Sequence, residues 1–171
     1  VIPITDTLSE SVALSGGVAL SLNTTPAQST AVYASGSGSS ALTFLYTVQS
    51  GQNATDLDYV SSTSLGLSAG ATIRDAAGND AVTVLPQPGA LGSLSSSANI
   101  TIDTISPSVL GVSSSSPDGH YREGAIIDLT ISFSEPLTLT GDLYLTLATG
   151  ATSRQANCTS LLTARVLHCS Y

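Results

Sequence analysis

The chain is predicted to be all-β and built from repeated units, and three observations say so. Ser and Thr supply 50 of the 171 residues while Lys and Met are absent, so residues suited to strands and turns displace the good helix formers. Short apolar stretches with two-residue alternation are separated by Gly, Pro, Asn and Asp. The segment Ile126 to Leu147, IIDLTISFSEPLTLTGDLYLTL, also has a counterpart at Val1 to Leu22, VIPITDTLSESVALSGGVALSL.

The two copies align at an offset of 125 residues with no gap as far as Tyr171. Ile2 falls on Ile127, Thr5 on Thr130, Ser9 and Glu10 on Ser134 and Glu135, Leu20 and Leu22 on Leu145 and Leu147, and Tyr46 on Tyr171. The second copy opens near Ser106, ahead of the shared stretch, whereas the first begins inside it; nothing after Tyr171 corresponds to Thr47 to Thr104. The reading is about one and a half copies of a repeat, with at least one unit incomplete within the chain. An unfinished sheet leaves an apolar cleft and unpaired backbone groups. The expected organisation is a donor strand at 1–10, a first unit at 11–105 and a second, incomplete unit at 106–171 that accepts a strand.

In order, Val1 to Leu8 reads as a strand with Ile2, Ile4 and Leu8 on one face, and Asp6 stands where the second copy has Ile131. Val12 to Leu22 continues it around the Gly16-Gly17 turn. Ala31 to Ala34 and Ala41 to Val48 read as strands joined by the SGSG turn at Ser35 to Gly38. Ser50 to Thr63 is a polar connection anchored by Leu57 and Tyr59, and Leu65 to Ile73 is a short strand or turn. Asp75 to Asp80 is a turn, Ala81 to Pro86 a strand, Gly89 to Ala98 a loop and Asn99 to Ile105 a closing strand. The second copy repeats the opening, with Ile127, Leu129, Ile131 and Phe133 on one face and Asp128, Thr130 and Ser132 on the other.

Composition excludes several functions. Four basic residues against 12 acidic ones give a net charge of −8, which leaves no basic stripe for nucleic acid. No apolar run approaches the length of a membrane span. Without a Met, Val1 is expected to be a processed or internal terminus. By the repeat, Cys158 and Cys169 occupy the places of Tyr33 and Phe44, on facing arms of a hairpin. A disulfide there fits the geometry and implies an oxidising compartment, at roughly 3 kcal/mol in the chain-entropy model; buried free thiols are the alternative. The absence of Lys excludes Lys–Asn isopeptide cross-links.

Five segments in order, FSEPLTLTG (133–141), SGSGSSALTFLYTVQSG (35–51), DLDYVSSTSL (56–65), IRDAAGNDA (73–81) and ITIDTISP (100–107), resemble the tandem Ig-like, cadherin-like or bacterial Ig-like repeats of large secreted surface proteins. The resemblance covers nearly the whole chain and implies Ig-like β-sandwich units with a structural or adhesive role. Units lacking a strand are also similar in architecture to pilus subunits joined by donor-strand exchange, and the chain resembles a protomer of a pilus-like extracellular fibre. That resemblance implies an extracellular homopolymer, a helical filament in which Val1, Ile2, Ile4 and Leu8 of one copy enter the unit of another that carries Ile127, Leu129, Ile131 and Phe133. The alternative is a fragment of a longer tandem-repeat adhesin that binds calcium.

Chemistry is sparse. His120 and His168 have no acidic neighbour in sequence, and the chain is not expected to be an enzyme. No cofactor is required. Acidic residues at turns and near the unit junction, with Asp75, Asp80 and Asp103 foremost, are candidate Ca²⁺ ligands; the competing reading is an Asx-rich turn and solvated carboxylates. Four of the five asparagines lie in glycosylation sequons, of which Asn23, Asn53 and Asn99 are candidates and Asn157 is hindered by Cys158.

Overall fold

Strands account for 46% of the computed structural model and helix for 2%, which places the protein in the all-β, sandwich-like class. Residues 1–171 are described, in two units, Val1–Ile105 and Ser106–Tyr171. No helix is long and apolar enough to cross a membrane.

The first unit contains β1 (Ile2–Ser15), β2 (Val18–Leu22), β3 (Ser29–Ser35), β4 (Ser39–Tyr46), β5 (Leu65–Leu67) and β6 (Thr72–Arg74), in the order β5-β2-β3-β4-β1-β6. The long β1 runs antiparallel to β4 from Ile2 opposite Tyr46 to Thr7 opposite Ala41, slips register, and pairs with β6 through Ala13–Ser15. A strand that changes partner in this way curls the sheet. At the β3–β4 hairpin Gly36 has φ 112°, and a Cβ there would lie 2.0 Å from the Ala41 carbonyl oxygen, so only glycine fits. Ile4, Leu20, Leu22, Leu42, Phe44 and Tyr46 form one buried cluster. Leu57, Tyr59, Leu65, Ile73 and Ile102, from the connection that has no counterpart after Tyr171, complete it.

Three expectations for this unit need correction. Ala81–Pro86 is not a ladder strand: it is tied to the fold by Ala81 N–H to the Ile73 carbonyl, Leu85 N–H to the Ser62 carbonyl and the Tyr59 hydroxyl to the Pro86 carbonyl, and Val82 and Val84 are 84% and 66% exposed. Asn99–Ile105 forms one bridge, Ala54 to Ile102, rather than a strand. Inside Gly89–Ala98 a short helix α1 (Leu94–Ser97) forms because the buried Ser93 caps it, its hydroxyl accepting the Ser96 N–H at 3.3 Å.

The second unit is a single antiparallel sheet of β7 (Val109–Ser114), β8 (Asp128–Phe133), β9 (Leu143–Leu147), β10 (Arg154–Thr163) and β11 (Val166–Ser170), in the order β7-β8-β11-β10-β9. Leu137–Asp142, read as part of the β9 strand, lies outside it. Four strands recur between units: β2 and β9 begin and end at equivalent residues, and Tyr33 opposite Phe44 repeats as Cys158 opposite Cys169. The second unit has only five buried apolar residues, Ile131, Ala156, Cys158, Leu167 and Cys169, so its core is one layer deep.

Candidate strand-acceptor sites

The expected donor strand is not a free arm. Val1–Glu10 belongs to the first unit, where six residues of β1 pair with β4 and Ile4 is 5% exposed in the core, with Ile2 and Leu8 half-buried against it. The physical reason lies in the repeat itself: β1 is the counterpart of β8, an integral strand, and its sequence keeps the inward apolar alternation of one. The units divide at 105/106, and residues 1–10 do not stand apart.

Of the expected acceptor residues in the second unit, Ile131 is buried, and Ile127, Leu129 and Phe133 are half-buried, the last two packed against the core cluster. A matched comparison shows why. Leu20, Leu22 and Tyr46 are 3%, 0% and 1% exposed, while their counterparts Leu145, Leu147 and Tyr171 are only half-buried, at the margin of the smaller core cluster. In the first unit Leu57, Tyr59 and Ile102 pack against the former set. On β9, Leu143 and Tyr144 are exposed.

An opening lies in the first unit. β4 pairs with one edge of β1 over Ile2–Thr7, and the other edge of those residues carries no ladder. Beside it lies a groove of about 350 Å³ lined by Asp6–Glu10 on one wall and Asn79–Pro86 on the other. In the second unit the equivalent edge of β8 is occupied by β7, with Val109 opposite Phe133, Val112 opposite Ile131 and Ser114 opposite Leu129. All six residues of β7 are exposed.

Asp6 and Asp58, both in the first unit, have pKa values shifted in opposite directions. Asp6 faces the groove from a core-facing position, and burial pushes its pKa up, partly offset by the Thr7 N–H. Burial would also raise Asp58, which is 3% exposed. Hydrogen bonds from the Ser95 hydroxyl (2.7 Å), the Gly89 N–H (3.0 Å) and the Tyr59 N–H (2.8 Å) outweigh it and hold the carboxyl below its ordinary value. Asp58 thereby ties the 53–59 connection to the loop carrying α1. No spacing in the sequence signalled that role.

Cys158 and Cys169 form a disulfide across β10 and β11, in the register the repeat predicts. The candidate calcium ligands do not converge, since no group of three His, Cys, Asp or Glu residues is placed to hold a metal. Asp75 accepts from the Asn79 side chain (2.7 Å) in an Asx turn, Asp80 pairs with Arg74 (2.7 Å), and Asp103 accepts the Ile105 N–H. Asn23 and Asn53 use their carboxamides in the fold, accepting N–H groups of Asp58 and Thr104 at 2.9 Å each, whereas Asn99 is exposed with no side-chain partner among the hydrogen bonds. His168 meets Asp128 at 3.1 Å across the β8–β11 pair, a contact between residues 40 apart that only the strand register reveals. No family model matches the chain, and no curated protein or solved structure matches it either.

Proposed function

We propose that this chain is a structural subunit of an extracellular, pilus-like fibre, in which Ig-like units left open are completed by strands from other copies of the same chain. The observation that carries the reading is the matched comparison: Leu20, Leu22 and Tyr46, sealed in the first unit, have counterparts that are only half-buried in the second. Burying them against a partner is favourable by about 25 cal/mol per Å² of apolar surface, and free sheet edges add main-chain hydrogen bonds of about 1 kcal/mol each. Because the surfaces that meet differ, the contact propagates into a ring or filament. The disulfide fits an oxidising, extracellular setting.

In the form the sequence suggests, β1 of one copy enters the second unit of another. That exchange removes Ile4 from its core at a cost of about 1.5–3 kcal/mol, before the lost β4 pairs are counted. A join that leaves β1 in place is therefore favoured. A second reading, a stretch of a longer tandem-repeat adhesin, draws on the gap-free repeat, because successive repeats would then supply one another's strands. Negative-stain microscopy of the purified 171-residue chain at rising concentration tests the proposal. Threads or rings are expected; dispersed particles of monomer size at every concentration would refute it.

A further inference from the structure

We infer that the groove between β1 and Ala81–Pro86 in the first unit is a strand slot that receives Val109–Ser114, the β7 segment, of a second copy. The inference rests on the fibre reading above and names its join.

Three observations lead to it. The slot has a backbone on each side: the free edge of β1 on one wall and Val82–Val84, outside any ladder, on the other. An inserted strand would find hydrogen-bonding groups on both flanks, and the exposed Val82 and Val84 would gain an apolar neighbour. The repeat then identifies the occupant, because β8 is the counterpart of β1 and the strand that pairs with the equivalent edge of β8 is β7. Carrying that register across by 125 residues places Val109 opposite Leu8, Gly111 opposite Thr7, Val112 opposite Asp6, Ser113 opposite Thr5 and Ser114 opposite Ile4.

The third observation concerns what the donor leaves behind. In its own unit β7 is an edge strand with one ladder and six exposed residues. In the slot it would have two flanks instead of one, while β1, the disulfide and the β8–β11–β10–β9 ladders stay intact. Its sequence, VLGVSS, carries no charge to desolvate. The transfer is heterologous, running from the second unit of one copy to the first unit of the next, and so propagates into a ring or filament.

The test uses two single variants of the full chain, Thr5→Cys and Ser113→Cys. Both positions are exposed and the native cysteines are bonded to each other, so each variant carries one free thiol. Mixed under mild oxidation, they are expected to give a covalent heterodimer, and Thr5→Cys mixed with Leu110→Cys, which is out of register, is expected to lose it. The double variant Thr5→Cys/Ser113→Cys is expected to give a ladder of covalent oligomers. If threads form but the in-register heterodimer does not exceed the out-of-register control, the slot is wrong and the fibre reading stands. If the double variant closes only within single chains, the second-copy occupant is wrong. If neither threads nor cross-links form, both proposals fall.

Discussion

Truncating two equivalent leucines measures how open the second unit is. Leu22, fully sealed in the first unit, loses three carbons and leaves a cavity on change to Ala, which costs about 3–4 kcal/mol. Leu147, its counterpart, is half-buried on a one-layer sheet. It keeps part of its surface in water already and borders a smaller cluster, so Leu147→Ala costs less, about 2 kcal/mol, in dilute protein. Urea unfolding read by pulse-labelled hydrogen exchange and mass spectrometry resolves the two units separately. Equal costs for the two substitutions in dilute protein would refute the reasoning, because they would mean that Leu147 is already covered.

Asp58→Ala leaves the buried Tyr59 N–H unpaired and removes the part-buried bonds from Gly89 and Ser95, and should destabilise the first unit by about 2 kcal/mol, with chemical denaturation as the readout. Because its folded pKa is lowered, the Asp58 contribution is fully present above the unfolded value near 4 and is lost as pH falls through the folded value, so Asp58→Asn should flatten the acid limb of the stability curve. Asp6 acts in the opposite sense: its raised pKa makes the ionised form a liability above that value, relieved as pH falls through it, and Asp6→Asn should raise the thermal midpoint at pH 7. Reducing the Cys158–Cys169 bond, which closes a loop of sequence separation 11, should destabilise the second unit by roughly 3 kcal/mol and leave the first unchanged in unit-resolved exchange. In a glycosylating host, peptide mapping of the secreted, folded protein should find Asn99 occupied and Asn53 largely bare, since the Asn53 carboxamide is bonded to Thr104 and Gly51.

Much of the fold was legible because local pattern and tertiary role agree. Alternation in Ile127–Phe133 and the SGSG turn marked β8 and the β3–β4 hairpin, and the repeat placed the disulfide before any coordinate. Ala81–Pro86 shows where pattern fails: VTV alternates like a strand, yet a ladder needs a partner, and none of the chain's own strands lies beside Val82–Val84. Asn99–Ile105 fails likewise, its apolar residues filling the core as Ile100 and Ile102 without pairing along their length. The offset between copies points to the β1 groove, and in the single chain Val1–Glu10 belongs to β1 of its own unit. Shared sequence between Val1–Leu22 and Ile126–Leu147 marks β1 as a structural strand of its own unit rather than a mobile one. Asp58 and the His168–Asp128 pair were invisible because their partners lie far away in sequence.

Sedimentation equilibrium of the purified chain with its disulfide intact, across a wide concentration range, tests the central claim most directly. The account predicts an average mass that climbs from the 17.2 kDa of one chain without settling at a dimer. A mass that stays at one chain throughout, or that stops at two, would contradict it.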